Sequence, residues 1–280
     1  MSKKRKKPNH VRLRKEEKEA RKSKMEKFLN NYMWAITLVI LGVLLAAAFI
    51  LIPNCNASCK PNDPGNTNPG VSDSDEEAGD PGQLEIPEPG ERVAVLHVSD
   101  GGDIAGDIKI RLFPDLTPKT CENFVGLIEQ GKYNGTIFHR VGSEFMIQGG
   151  DYENFNGTGG QSIWGAPFED EFGTGLYNYR GAVSMANSGP NSNGSQFFIV
   201  QSHTAAGVPE TLPLWASDFY GALGGYPSLD GRHTVFGQVY EGMDLVDMIA
   251  AVPGQEIVGV GGVIPDVPIT ILSAEIITIE

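Results

Sequence analysis

In the C-terminal two thirds of the chain, hydrophobic and polar positions alternate in short runs that are typical of β-strands. A period of two predicts strands over 93–98 and 104–113, and in the second strand Ile108, Ile110 and Leu112 share one face. Further short strands are predicted over 134–141, 145–149, 182–185, 196–201, 234–239 and 267–278. Many short strands with few helices favour a closed barrel or a sandwich, in one domain of about 190 residues.

Two segments have the period of a helix. Residues 117–130 form the clearer one, with Thr117 placed to cap it, Pro118 suited to its first turn and Gly131 ending it. Its inward stripe is predicted to consist of Cys121, Phe124, Leu127 and Ile128. A second, shorter helix is predicted over 243–251. With two helices and many strands, the domain is predicted to be mainly β.

A continuous hydrophobic run precedes the β-rich region. Residues 34–52, WAITLVILGVLLAAAFILI, are nineteen uncharged residues that would span about 28 Å as a helix, close to the hydrocarbon core of a bilayer. The alternatives are a cleaved signal peptide and a buried helix. A signal peptide has a shorter apolar run, and a shorter basic start than the 33 residues found here. The sequence therefore predicts one retained transmembrane helix.

Charge is unevenly divided along the chain. Of the 22 Lys and Arg residues, 13 lie in residues 1–33 against 4 acids, so this tail is basic. The positive-inside rule then predicts a cytoplasmic N-terminus and an extracytoplasmic position for everything after the hydrophobic run. Residues 53–90 hold seven Pro, five Gly and eight acids, which predicts a disordered linker. Residues 91–280 carry a net charge of −15, which argues against nucleic-acid binding.

The three cysteines fall into two groups by their position in the sequence. Cys121 lies in the helical pattern and is interpreted as a small core residue. Cys55 and Cys59 directly follow the hydrophobic run, where a disulfide is permitted on the oxidising side of a membrane. A lipid-modified Cys55 is the alternative, but Asn54 argues against it because lipoprotein signals carry Gly, Ala or Ser at that position. Cysteines spaced this sparsely predict no zinc site.

One stretch, FHRVGSEFMIQGGD (138–151), places a cation, apolar side chains and an amide close together. A period of two puts Phe138 and Arg140 on one face of a strand. It puts Met146 and Gln148 on one face of the next strand, after a short turn. An arginine beside an apolar wall is unusual unless something binds there. A second stretch, SMANSGPNSNGSQFFIV, adds another amide and another aromatic side chain.

Five motifs follow one another in an order that resembles a cyclophilin-type peptidyl-prolyl cis–trans isomerase over roughly 92–280. They are FHR-x4-FMIQGGD, NGTGG (156–160), FEDE (168–171), SMAN-x-GPN-x-NGSQFF and LDG-x-H-x-VFG. The resemblance implies a closed eight-stranded antiparallel β-barrel capped by two helices. It also implies that proline-containing polypeptides are the substrates and that neither a cofactor nor a metal is used.

Rotation about an X–Pro bond needs no bond to be broken. Its barrier of about 18–20 kcal/mol comes from amide resonance, so a catalyst has only to stabilise the twisted amide preferentially. In the twisted state the proline nitrogen carries a lone pair, to which a fixed guanidinium can donate. Arg140 is predicted to take this role, and the matching position of the family takes the same one.

The resemblance assigns the remaining site residues by position. Those matched to the catalytic set are Arg140, Phe145, Gln148, Asn187 and His233. Those matched to substrate binding are Met146, Gly157, Thr158, Ala186, Gln196, Phe198 and Leu229. Within these sets the aromatic and aliphatic side chains form a proline pocket, the amides and Ala186 hold the substrate backbone, and Gly157 and Thr158 line a neighbouring pocket. His139 is interpreted as a buried structural histidine.

Two features depart from the family pattern. Ser228 stands where many relatives have a Trp that helps to bind the cyclic peptide cyclosporin, so the sequence predicts weakened binding of that inhibitor. Residues 202–228 form a longer connection than in most relatives, with Trp215, Phe219, Tyr220 and Tyr226 in it. Long loops of this kind are often functional, and we expect this one to border the proline groove.

Two functions remain open at the level of sequence. The first is a membrane-anchored isomerase that accelerates the folding of exported proteins, since X–Pro isomerisation can limit folding. The second is a tethered proline-binding module with little turnover. Arg140 favours the enzyme, because a pure binding module has no need to stabilise a twisted amide.

Overall fold

The computed structural model describes residues 80–280, in which ten strands form one antiparallel sheet. The strands are β1 (Arg92–Ser99), β2 (Ala105–Leu112), β3 (Arg140–Val141), β4 (Met146–Gly149), β5 (Ala182–Met185), β6 (Phe197–Val200), β7 (Val235–Glu241), β8 (Gly254–Glu256), β9 (Val263–Pro265) and β10 (Thr270–Thr278). Their order across the sheet is β10-β1-β2-β7-β5-β6-β4-β3-β9-β8. The mainly β prediction is confirmed.

The sheet curls back on itself without a continuous closing ladder. A single bridge joins Ile137, just before β3, to Thr270 at the start of β10. Beside it, the N–H of Phe138 donates to the carbonyl of Ile269 at 2.9 Å. The prediction of a closed eight-stranded barrel is therefore wrong in two respects. The β8–β9 hairpin adds two strands, and the closing contact is made by the segment 135–138 before β3, through a few backbone hydrogen bonds to residues 269–271, and not by a ladder between two strands.

Three α-helices accompany the sheet in the described part of the chain. They are α1 (Pro118–Glu129), α2 (Leu214–Leu223) and α3 (Met243–Ala250). The first and third were predicted, but α2 was not, so the count of two helices is wrong. Thr117 occupies the N-cap position of α1 as predicted, but its side chain makes no capping hydrogen bond, because its hydroxyl donates to the carbonyl of Phe113 at 3.1 Å. Gly131 follows α1 with φ of +67°, a conformation that ends a helix.

The main core lies between the curled sheet and helices α1 and α3. Phe124 of α1 is fully buried, with its ring 4.9–5.3 Å from those of Tyr133, Phe197 and Phe236. The predicted inward stripe of α1 is confirmed, because all four of its members are buried. Such a core fixes the spacing of the strands that carry the site.

The folded region extends upstream of the predicted domain start at residue 91. Gln83 is buried, and its amide donates to the carbonyl of Tyr177 at 2.8 Å. Arg111 pairs with both carboxylate oxygens of Glu91 at 2.9 Å and donates to the carbonyl of Gly82 at the same distance. Residues 81–91 therefore pack along the sheet, although the sequence assigned most of them to the linker.

Several predictions concern residues before residue 80. The transmembrane helix over 34–52, the basic tail and the pair Cys55 and Cys59 all lie outside the described residues. Within residues 80–280, none of the helices combines the length and the apolar character that crossing a bilayer requires.

The connection 202–228 is mostly organised as an aromatic cluster around α2. Tyr220 packs on Tyr179 with ring centroids 4.7 Å apart, and Trp215 packs on Tyr177 at 5.6 Å. Only the end of the connection reaches the predicted groove, where the ring of Tyr226 lies 4.8 Å from that of Phe145. The expectation that this segment borders the groove thus holds for Tyr226, while α2 packs against the loop that carries Tyr177.

Candidate active site

The short hairpin of β3 and β4 brings Arg140 and Gln148 together. The two residues are directly opposite each other in the antiparallel pairing. The period of two had grouped Phe138 with Arg140 and Met146 with Gln148, but it did not set this register. On the other side of β4, Gln148 is opposite Phe198 of β6. Three adjacent strands therefore present a cation, an amide and an aromatic ring at one place on the sheet.

A cavity of about 130 Å³ opens at this place. It is lined by Arg140, Phe145, Met146, Gln148, Ala186, Asn187, Phe198, Leu229 and His233. Its apolar members belong to a second hydrophobic cluster, in which Met146 and Phe198 are buried and Phe145 and Leu229 partly so. All nine lining residues were predicted as site residues.

A second cavity of about 390 Å³ adjoins the first. The two share Gln148, Ala186 and Asn187 in their walls. The second is also lined by Gly157, Thr158 and Gln196, the remaining predicted residues. The structure thus brings all twelve predicted residues to one groove with an apolar compartment and a polar one.

The guanidinium of Arg140 is held from several directions. Its Nη1 donates to Oε1 of Gln148 at 3.3 Å, and its Nε donates to the carbonyl of Gly261 at 2.9 Å. Its Nη2 donates to the carbonyl of Val260. The guanidinium also lies 5.2 Å from the centre of the Phe145 ring, a cation–π arrangement. Burial lowers the pKa of Arg140, but an arginine remains a cation at neutral pH.

A chain of amides connects Arg140 to the wall of the polar compartment. Nε2 of Gln148 donates to Oε1 of Gln196 at 2.9 Å. Nε2 of Gln196 in turn donates to the carbonyls of Gly157 and Gly159 at 3.0 and 2.8 Å. The position of the arginine is thereby linked to the loop 151–160.

The carboxylate of Asp151 organises that loop. It is buried, and its oxygens accept backbone N–H groups at 2.9–3.2 Å. The donors are Glu153, Asn154, Asn156, Gly157, Thr158 and Gly159. Burial by itself would raise the pKa of Asp151, but these donors favour the charged form and lower it.

The opposite wall of the apolar compartment is built from loops. Asn187 donates to the carbonyl of Arg232 at 2.8 Å, and Nδ1 of His233 lies 2.9 Å from the carbonyl of Met185. The His233 ring packs edge-on against Phe198 with centroids 5.2 Å apart. Burial lowers the pKa of His233, so the ring is neutral at physiological pH and serves as a wall.

Leu229 is held in this wall by its neighbour Asp230. Oδ1 of Asp230 accepts the backbone N–H and the side-chain amide of Asn178 at 2.8 and 2.9 Å. Its Oδ2 accepts the hydroxyl of Tyr220, on α2, at 2.6 Å. Burial raises the pKa of Asp230. The helix that was not predicted from the sequence therefore contributes one of the contacts that fix this loop.

His139 lies below the groove, as its structural interpretation requires. It is 6% exposed, and neither ring nitrogen has a partner among the described residues. A Cβ added to Gly157 would lie 2.8 Å from its Nε2, so the loop above it tolerates only glycine there. Burial lowers the pKa of His139, so its ring acts as a neutral support for the loop.

One contributor to the site was missed in the sequence, and a second was predicted only as part of a longer segment. The carbonyls of Val260 and Gly261 hold Arg140 across 120 residues, and a backbone carbonyl leaves no trace in residue type. Tyr226 supplies an aromatic neighbour to Phe145, next to Ser228, which is exposed on the 3₁₀ turn Pro227–Leu229. Tyr226 had been expected at the groove only as one aromatic residue of the connection 202–228.

The arrangement suits a polypeptide that carries a small apolar ring next to an amide. The apolar compartment accommodates the ring, and the amides and carbonyls around it can bind an extended backbone. The fixed guanidinium of Arg140 lines the same compartment and can donate to an amide beside the ring. These features define a proline-recognising site on a curled antiparallel sheet.

Comparison with known proteins agrees with this description. The model of the family "Cyclophilin type peptidyl-prolyl cis-trans isomerase/CLD" matches residues 95–276. This match covers more than half of the chain, so the chain belongs to the cyclophilin-type peptidyl-prolyl cis–trans isomerase family.

Relatives agree with the family assignment. A Staphylococcus aureus protein named "Putative peptidyl-prolyl cis-trans isomerase" is 48% identical over 170 residues, which are 58% of this chain and 82% of that protein. A Streptococcus pyogenes protein named "Putative bifunctional phosphatase/peptidyl-prolyl cis-trans isomerase" is 53% identical over 154 residues, 52% of this chain but only 33% of that protein.

A solved structure shares the fold. It is a cyclophilin-type isomerase of Cryptosporidium parvum, crystallised in the presence of the dipeptide Ala-Pro. The match has a TM-score of 0.52 and 31% identity, and covers 67% of this chain and 98% of that one.

Proposed function

We propose that this chain is a membrane-anchored peptidyl-prolyl cis–trans isomerase that accelerates X–Pro isomerisation in exported polypeptides. The observation that carries the catalytic part is Arg140, whose guanidinium is fixed at the edge of an apolar cavity that accommodates a proline ring. Binding alone would need the cavity, but not a half-buried cation fixed at its edge.

The proposed mechanism rests on differential binding. The pyrrolidine ring enters the apolar compartment, while Gln148, Gln196 and Asn187 hold the flanking backbone. As the amide twists, its nitrogen becomes pyramidal and accepts an N–H of Arg140, an interaction that the planar ground state cannot make. Each 1.4 kcal/mol or so of this preference accelerates rotation about tenfold. No covalent intermediate is formed, and His233 stays neutral throughout.

The substrate class follows from the same cavity. A volume of about 130 Å³ is of the size of a single small side chain or ring, not of an extended ligand. The related C. parvum isomerase was crystallised in the presence of Ala-Pro, which supports proline-containing peptides as ligands of this chain too. The phosphatase activity in the name of the streptococcal relative is not carried over, because this chain matches one third of that protein.

The catalytic proposal is tested with the full chain and an X–Pro peptide in an isomerisation assay. Arg140→Ala is expected to lower kcat/KM about 10²–10³-fold, as the loss of a donor to a developing charge does elsewhere. The matched control is Arg232→Ala, because Arg232 is an exposed arginine near the same groove. Binding of the peptide without any acceleration by the unmutated chain would instead support the proline-binding module.

The cellular setting is proposed from the sequence alone. The basic segment 1–33, the uncharged run 34–52 and the acidic, proline-rich segment 53–90 support a single anchor with the isomerase domain outside. The test is labelling of Cys55 and Cys59 by an impermeant thiol reagent on intact cells, with and without prior reduction. Labelling only after the cells are opened, in both conditions, would contradict this topology.

Cyclosporin-type inhibitors are proposed to bind weakly. Ser228 is exposed on the turn before Leu229 and offers no indole to an inhibitor. Ser228→Trp is expected to tighten cyclosporin inhibition about tenfold while leaving catalysis within about twofold, since one aromatic contact contributes about 1 kcal/mol or more. An unchanged inhibition constant would show that another part of the groove limits inhibitor binding.

A further inference from the structure

We infer that the backbone segment 260–262, at the tip of the β8–β9 hairpin, is the positioning element for Arg140. This inference rests on the proposed function, in which the fixed orientation of Arg140 stabilises the twisted amide. The segment contributes no side chain to the cavity walls. Its contribution is two carbonyl groups, those of Val260 and Gly261, which accept Nη2 and Nε of Arg140.

The hairpin is attached directly to the strand that carries the arginine. Val263 of β9 pairs with Val141 of β3, the residue after Arg140. Within the tip, the N–H of Ile257 donates to the carbonyl of Gly262 at 3.0 Å, which closes the turn. The two carbonyls are therefore placed by a strand pair and a closed turn rather than by a free loop.

The hydrogen bonds divide the guanidinium into an occupied part and an available part. A guanidinium has five N–H donors. Three are used by Gly261, Val260 and Gln148, so among the described residues two remain for a substrate. With its plane also fixed by Phe145, the side chain loses little further rotational entropy when the twisted amide forms. Without the carbonyls, the Nε side of the group would turn towards solvent.

The close approach of the hairpin tip to β3 requires a glycine at position 262. Gly262 has φ of +82°, and a Cβ there would lie 2.8 Å from the carbonyl oxygen of Val141 and 3.5 Å from Cγ of Arg140. Gly259, in the same turn, has φ of +85° but open space around its Cβ position. The two glycines therefore share the same backbone requirement and differ in whether a methyl group pushes the hairpin off β3.

This difference gives a matched pair of variants in the full chain. Gly262→Ala is expected to lower kcat about tenfold or more with little change in KM. The displaced carbonyls would no longer hold Arg140, and the interaction of Arg140 with the substrate acts in the transition state. Gly259→Ala is expected to stay within about threefold of the unmutated chain, since alanine there meets only the cost of a positive φ. Equal rates for the two variants would overturn the inference.

A double-mutant cycle separates positioning from general damage to the fold. In an Arg140→Ala background, Gly262→Ala is expected to have no further effect, because the group that it acts through is gone. The same factor of loss in both backgrounds would show that the hairpin acts on the fold and not on the arginine, and would overturn the inference.

A spectroscopic readout does not depend on activity. With ¹⁵N-arginine in the full chain, the Nε–H of Arg140 is expected to exchange slowly with water in the unmutated chain and in Gly259→Ala, and at least tenfold faster in Gly262→Ala. Equal exchange in all three would contradict the positioning role. If the unmutated chain lacks isomerase activity, the proposed function fails, and this measurement still decides whether the hairpin fixes the arginine.

Discussion

Two loops around the groove are each organised by one aspartate, in opposite ways. Asp151 accepts six backbone N–H groups, all from the eight residues that follow it. Asp230 accepts three donors from Asn178 and Tyr220, which are 52 and 10 residues away. The first loop is held together locally, whereas the second is held to distant parts of the fold.

The two carboxylates also differ in their charge balance. Six N–H dipoles around Asp151 stabilise its charge and lower its pKa despite its burial. At Asp230 burial has the larger effect and raises the pKa, although Tyr220 and Asn178 oppose it. Both aspartates anchor a loop, but the surroundings of Asp151 stabilise its charged form, whereas those of Asp230 disfavour it.

The largest effect is expected at the local anchor. Asp151→Ala removes the acceptor of six N–H groups at once, of which several stay buried, so we expect a loss of about 3 kcal/mol in the free energy of unfolding. Because Gln196 is bound to the carbonyls of Gly157 and Gly159, KM for X–Pro peptides is expected to rise as well. Chemical denaturation and steady-state kinetics measure the two effects. A loss below about 1 kcal/mol would show that water replaces the carboxylate freely.

A smaller effect is expected at the distant anchor. Asp230→Ala leaves Asn178 and Tyr220 without their acceptor and is expected to lower the free energy of unfolding by about 2 kcal/mol. It should also lower kcat/KM, because Leu229 belongs to the cavity wall. Asp218→Ala, at an exposed position of α2, is the control and should change neither quantity. If Asp230→Ala destabilised the chain more than Asp151→Ala, the contrast between the loops would be reversed.

The part of the site that is built from local strand pairing could be predicted from the sequence. A period of two and a turn suffice to place Arg140 and Gln148 on neighbouring strands of one hairpin, and β5 was predicted with its observed bounds. The register that puts these two residues opposite each other was not predicted. The motif resemblance supplied the loop residues Asn187 and His233, whose positions depend on contacts with Arg232 and Met185 that no periodicity reports.

The elements that the sequence did not predict, α2, β8 and β9, show little amphipathic pattern. Helix α2 buries only Ala216 and Tyr220, so it lacks the continuous apolar stripe that marks α1. Strands β8 and β9 have three residues each, too few to show alternation. Arg140 is positioned by backbone carbonyls and by the close approach of Gly262 to β3. Both depend on tertiary position, which residue type does not report.

A still smaller change isolates the contact between α2 and the groove. Tyr220→Phe removes the hydroxyl that donates to Asp230 and keeps the ring that packs on Tyr179, so we expect a loss of about 1 kcal/mol in the free energy of unfolding. Combined with Asp230→Ala, it should add less than its separate effect, because the two groups are partners. Full additivity would show that the hydroxyl of Tyr220 contributes independently of Asp230. Thermal denaturation of the single and double variants distinguishes these outcomes.

The smallest effect is a difference in pH dependence between the two anchors. The lowered pKa of Asp151 contributes stability that is present above the ordinary aspartate pKa of 3.8 and is lost as the pH falls through its folded-state pKa. The raised pKa of Asp230 contributes stability that is present below 3.8 and is lost as the pH rises through its folded-state pKa. The destabilisation caused by Asp151→Asn should therefore shrink on acidification, and that caused by Asp230→Asn should grow. Denaturation midpoints measured from pH 7 down to pH 3 test this, and parallel curves for the two variants would show that the two aspartates sit in equivalent electrostatic environments.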